Sequence, residues 1–164
     1  MVPYNFEHQT KTLTMRLIAL TLLLVSSNLL AQENAIQHIN LQDDIAIQGY
    51  DPVAYFTKNK AVEGKKELQY QYMGVPYRFS SSENLEAFKK NPEMYEPAYG
   101  GWCAYAMGVD GSKVKVDPET FKIVDGKLNL FYNFFFNNTL KDWNKDEDNL
   151  KSQATENWSK IVNK

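Results

Sequence analysis

Glu67-Leu68-Gln69-Tyr70-Gln71-Tyr72-Met73-Gly74-Val75-Pro76-Tyr77-Arg78-Phe79-Ser80-Ser81-Ser82 is the stretch that decides the fold class. Leu68, Tyr70 and Tyr72 alternate with polar neighbours, and Val75, Tyr77 and Phe79 alternate on the far side of Met73-Gly74. A period of two on both sides of a glycine turn reads as a β-hairpin. The serines that follow supply N-caps for a helix beginning near Glu83, with Glu83 and Glu86 at its electropositive end. Leu85 and Phe88 face the core of that reading, and Asn91-Pro92 ends the helix. A hairpin running directly into a helix fits an α+β domain.

Further along, Phe121–Val124 and Lys127–Tyr132 flank Asp125-Gly126. Asp-Gly between two apolar runs is a strong signal for a second hairpin. Between the hairpins, Tyr99 to Met107 reads as a helix closed by Gly108, although Gly100-Gly101 lowers its propensity. That glycine pair suits close approach by another backbone, a ligand or a large side chain. At the end of the chain, Asn138 or Thr139 caps a helix whose Leu140, Trp143, Leu150, Ala154, Trp158 and Ile161 fall on one face. The expected fold is therefore α+β, a small antiparallel sheet of two hairpins packed with short helices and an amphipathic C-terminal helix. Before it, Ile45 and Ile47 suggest a short strand, with Asp43-Asp44 at its start, and Asp51-Pro52 a turn whose proline opens a helical turn.

The 164-residue chain is long enough for one domain with a proper core. A formal charge of −2 gives no electrostatic case for nucleic acid. Lys58, Lys60, Lys65 and Lys66 read as a solvated loop, and Asp146-Glu147-Asp148 as a solvated helix face without the glycine of a calcium loop. Lys11 and Arg16 precede the apolar run Leu17–Val25, followed by Ser26-Ser27-Asn28 and Leu29-Leu30-Ala31. This is the pattern of an export signal cleaved near Ala31, with Met15 a second candidate start. The run is shorter than the roughly 20 apolar residues of a membrane span, so no stable span is expected after cleavage. The expected division is an extension and signal over 1–31, a lead-in over 32–44 and the domain over 45–164, exported to a periplasm or the exterior.

The segments Gly49–Phe56, Tyr77–Ser80, Phe88 with Asn91-Pro92, Tyr95, Tyr99–Ala104, Asp125–Leu128 and Asn157-Trp158 together resemble the YHS domain family in its exported single-domain branch. The resemblance runs over about residues 45–160. Metal-binding members of that family carry a cysteine after Asp-Pro-Val and two more in Phe-Cys-Ser-x-x-Cys, a thiolate cage for zinc or another soft metal. The matching positions here are Ala54, Ser80 and Asn84, and Arg78 stands where the family name suggests histidine. The resemblance thus implies the shell of the domain without that cage.

Cys103 is the single cysteine, so no disulfide forms within the chain. If 99–107 is one helix, Met107 shares its face. Thiol and thioether suit copper or another soft metal ion, and His38, the histidine that remains after cleavage at Ala31, joins them if the lead-in folds across. The same residues suit plain core packing or thiol redox chemistry, although no Lys or Arg lies within four residues of Cys103. Tyr95, Tyr99, Trp102 and Tyr105, at helical spacing, together with the ring-dense Phe131–Phe136 read first as core. Tyr99, Gly100, Gly101, Trp102 and Tyr105 read alternatively as an apolar pocket for a small ligand. With one mature histidine, no Ser–His or Cys–His catalytic pair stands out. The candidate roles are an exported, non-enzymatic binding or accessory domain, a thiol redox or sensor protein, and a structural or protein-interaction module.

Overall fold

In the computed structural model the described residues are 15–16 and 36–163. The expected export signal over 15–31 lies outside them apart from Met15 and Arg16. Among the described residues no helix is long and apolar enough to cross a membrane.

The lead-in turns back on itself. β1 (Leu41–Gln42) pairs antiparallel with β2 (Ile45–Ala46), and Asp43-Asp44 form the left-handed turn between them rather than a strand start. The strand stops at Ala46, where Ile47 enters a 3-10 turn. Asp51 then caps α1 (Pro52–Lys58), with Pro52 in the first turn, where its missing N–H costs nothing.

The first hairpin is β3 (Lys65–Tyr72) and β4 (Val75–Phe79), joined at Met73-Gly74, where both residues take positive φ. β4 buries Val75, Tyr77 and Phe79, as its alternation requires. Ser81 caps α2 (Ser82–Lys90) by accepting from the Asn84 amide at 3.2 Å. Asn91-Pro92 stops α2 and opens the single turn α3 (Pro92–Tyr95). Phe88 is the hub of this half: its ring meets Tyr77 at 4.9 Å, Phe79 at 5.2 Å, Tyr72 at 6.1 Å and Tyr95 at 6.3 Å. Such ring pairs add to the area term of burial.

The second hairpin is β5 (Asp117–Val124) and β6 (Lys127–Phe131), turning at Asp125-Gly126. The two hairpins remain separate two-stranded ladders and do not merge into one sheet. β6 divides the interior. Leu128 and Leu130 point into a core with Val53, Tyr55, Phe79, Phe88 and Cys103. Phe131, on the opposite face of the strand, enters a second core with Met107, Trp143 and Ala154.

Two helical readings of the sequence are corrected. The segment from Tyr99 to Met107 is not one helix. Ala98–Gly101 is a 3-10 turn with Tyr99 and Gly100 left-handed, Trp102 is extended, and α4 begins only at Ala104 (Ala104–Val109). The cause is tertiary: Pro97 and Cys103 bridge in parallel to Leu128 and Leu130 of β6, and the Cys103 amide donates to the Val114 carbonyl at 2.9 Å. Those long-range bonds take the backbone groups that a helix would use. The C-terminal helix is also two. Asn138, at the end of a short ladder of β7 (Asn133–Phe134) and β8 (Asn137–Asn138), caps α5 (Thr139–Trp143). The longer α6 (Glu147–Val162) starts anew. The Trp143 indole donates to Glu147 at 2.8 Å and Lys122 forms an ion pair with the same carboxylate, fixing the corner.

The described residues from 36 to 163 lie in one compact unit, with Ile36, Ile39 and Leu41 against the first core.

α4 and α6 touch through Gly108, where an added β-carbon would lie 2.6 Å from the Leu150 carbonyl oxygen. Gly108→Ala is expected to force the two helices apart and to cost about 1–3 kcal/mol, read as a lower urea midpoint with unchanged slope.

Candidate functional site

Ala54, Ser80 and Asn84, the positions that the resemblance sets against the family's metal cage, gather around Asp51. Its carboxylate is fully buried. One oxygen accepts from the Val53 amide at 2.9 Å and the Ala54 amide at 3.3 Å. The other accepts from the Ser80 amide at 2.8 Å, the Ser80 hydroxyl at 2.6 Å and the Asn84 side-chain amide at 2.6 Å. Five donors thus stand where a buried charge would otherwise be unpaired. The donor set does not fit a soft metal: Ala54 offers a methyl group, while Ser80 and Asn84 are committed to Asp51. Among the described residues no three His, Cys, Asp or Glu side chains form a metal cluster.

Cys103 precedes α4 as its N-cap residue rather than lying within it. The thiol is fully buried, and the Tyr132 amide donates to its sulfur at 3.4 Å. The Thr139 hydroxyl donates to the Tyr132 carbonyl at 3.0 Å, which leaves its oxygen to accept the Cys103 thiol proton at 3.4 Å. Cys103 belongs to the first core and Met107 to the second. The lead-in does fold across, but it carries His38 to Trp158, ring centroids 6.4 Å apart, and to Lys113, 3.1 Å from His38 Nδ1. Desolvation, then the Lys113 charge, hold the His38 imidazole below its ordinary pKa. Cys103 and Tyr105 border a shallow hollow of about 300 Å³.

The glycine pair accommodates the chain itself. A β-carbon on Gly100 would meet the Trp158 ring at 2.7 Å and the His38 carbonyl at 2.9 Å, and both glycines have positive φ. The Asn40 amide donates to the Gly100 carbonyl at 2.8 Å, and the Trp102 indole to the His38 carbonyl at 2.7 Å.

Beside this junction lies a cleft of about 770 Å³, between the Glu96–Gly100 turn, the β5–β6 turn and α6. Ile39, Val124 and Trp158 supply apolar wall. Of the sequence candidates, Tyr99 and Gly100 line it, whereas Gly101, Trp102 and Tyr105 do not. Tyr77, read from the sequence as a hairpin residue, and Glu96 and Thr155, which no sequence pattern marked, give it polar character together with Asp125, Lys127 and Lys151. Burial pushes the Glu96 carboxyl above its usual range; a Tyr77 hydrogen bond and Lys127 oppose the shift, and Glu93 adds to it. Burial also raises the Tyr99 hydroxyl, opposed by a hydrogen bond with Thr155 and by Lys151. Glu96 sits between Tyr95 and Pro97 with no local pattern to mark it, because its burial comes from distant strands.

Residues 53–99 match the family model of the YHS domain. The match spans α1 to the 3-10 turn and includes Ala54, Ser80 and Asn84, while Cys103 lies beyond it. No curated protein matches the chain, and no solved structure does.

Asp51→Ala should destabilise the fold by about 3–5 kcal/mol, because it removes a cap and strands the Ser80 and Asn84 donors. Asn84→Ala should cost less, about 1–3 kcal/mol; chemical denaturation of both variants measures the difference.

Glu96 titrates higher in the folded than in the unfolded chain, so the folded state binds the extra proton. Its contribution is full below the ordinary carboxylate value of 4.5 and is lost as pH rises through the raised folded value. Glu96→Gln is expected to flatten the stability–pH curve in that window; an unchanged slope would exclude Glu96 as the source.

Proposed function

We propose that this protein is a non-enzymatic accessory domain of the YHS type that works outside the cytoplasm and holds a small organic ligand in the cleft beside Tyr99 and Gly100. The observation that carries this reading is the cleft itself. Its volume lies in the range of ligand sites, its walls are mainly apolar, and a few polar groups converge on it. The Glu96 carboxyl, raised by burial, and the hydroxyls of Tyr77 and Tyr99 suit a flat, hydrogen-bonding molecule, and the other charges lining the cleft are already engaged, Lys151 by Asp125 and Lys127 by the Glu93 carbonyl. Lys11 and Arg16 ahead of the Leu17–Val25 run support export.

A soft metal such as copper at Cys103 and Met107, with His38, has residue type in its favour. The separation of the two sulfurs between cores weighs against it, as does the pairing of His38 with Lys113. Redox chemistry at Cys103 meets a similar obstacle, since the thiol is buried and both gives and receives a hydrogen bond.

Two measurements on the chain from Gln32 onward decide between these readings. Small phenols and aromatic amines, added one at a time, are expected to shift amide resonances at 96–100, 124–129 and 151–158. Thr155→Trp, which fills the cleft, should abolish those shifts. Elemental analysis for copper and zinc should find negligible and equal metal in wild type and Cys103→Ser. Stoichiometric copper lost in Cys103→Ser, or probe shifts that persist in Thr155→Trp, would overturn the proposal.

A further inference from the structure

The short hairpin β7–β8 carries a feature that neither core nor cleft uses. Its two turn residues are Phe135 and Phe136, between the paired Phe134 and Asn137. Both have positive φ, 52° and 65°. A two-residue hairpin with both central residues left-handed is ordinarily built from Asn-Gly or Asp-Gly, because a β-carbon is disfavoured there. Here two large apolar rings occupy the strained positions, 88% and 110% exposed. Folding alone would be better served by smaller polar residues.

The stem below the tip is braced. Phe134 packs edge-on to Tyr132 with centroids 5.0 Å apart, and the Asn133 side-chain amide donates to the Thr120 hydroxyl at 2.9 Å. The Lys115 ammonium lies 4.9 Å from the centre of the Phe134 ring, just behind the tip. The two segments that meet here, 111–116 and 131–141, contain Lys113, Lys115 and Lys141, and the acidic Asp110, Asp117 and Asp142 adjoin their ends, Asp117 being engaged by the Thr120 hydroxyl at 3.0 Å.

We propose that the Phe135–Phe136 tip is a membrane-surface anchor that inserts its two rings into the interface of an anionic bilayer, with Lys115 at headgroup level. A convex two-residue tip offers far less area than the roughly 1,200 Å² or more of a specific protein interface, whereas a fluid bilayer accepts single side chains from any direction. Phenylalanine rings gain by burying their apolar area at the headgroup–acyl boundary, and adjacent lysines are drawn to anionic headgroups. The braced stem presents the rings with little ordering left to be done on binding. The tip shares no residue with the cleft, so this inference stands apart from the ligand reading.

The test uses the chain from Gln32 onward with sedimented vesicles of phosphatidylcholine containing 30% phosphatidylglycerol, beside vesicles of phosphatidylcholine alone. Wild type is expected to partition to the anionic vesicles. Phe135→Asn with Phe136→Gly should lower that partitioning at least tenfold without lowering the thermal midpoint, because the substitutions suit the turn. Lys115→Ala should lower it about fivefold on anionic vesicles and leave neutral ones unaffected. A separate Phe136→Trp variant should show a blue-shifted emission quenched by brominated acyl chains. Absence of vesicle binding by wild type, equal binding by the Asn-Gly variant, or an unquenched tryptophan would each overturn the proposal.

Discussion

A buried carboxylate with five donors holds the N-terminal half of this domain together. Asp51 joins the start of α1, which it caps, to the end of β4 and the first turn of α2, 29 and 33 residues further along the chain. Low dielectric makes each of those hydrogen bonds strong and would make the loss of a partner costly. The same constraint places the aromatic cluster, since the α2 turn held by Asp51 through Asn84 directs Phe88 onto Tyr77 and Phe79. Ser80 and Asn84 therefore both serve the buried Asp51 carboxylate.

β6 is the second organising element. Its alternation sends Leu128 and Leu130 to one core and Phe131 to the other, so a single strand is the shared wall of both. The same strand receives Pro97 and Cys103 as parallel bridges. That pairing sets Gly100 against Trp158 of α6, and the cleft lies between this turn, the β5–β6 turn and α6. The cleft is thus a by-product of how the 97–103 segment is threaded, and the rings and carboxyl that line it come from four separate elements.

The hairpins, the serine-capped α2 and its stop at Asn91-Pro92 were legible because each rests on local chemistry: alternation, a glycine or Asp-Gly turn, a hydroxyl at an N-cap, a proline. The buried face of the C-terminal region was legible for the same reason, with Trp143, Leu150 and Ala154 all inside. Its break at Asn144–Asp146 was not, because that corner is set by Lys122 and Trp143 meeting Glu147. The resemblance carried by Gly49–Phe56 and Tyr77–Ser80 agrees with the family match over 53–99.

Taken alone, the chain determined its α+β class, its hairpin turns and its helix caps. Only the tertiary structure decided what Ser80 and Asn84 hold, why 99–103 leaves the helix, and which tyrosines border the cleft. The physical reason is range. Caps and turns are satisfied within a few residues, whereas the Asp51 donors lie up to 33 residues away and Asn40 finds Gly101 across 61. Contacts over such distances are chosen by the packing of the whole domain, and no local pattern around either partner announces them.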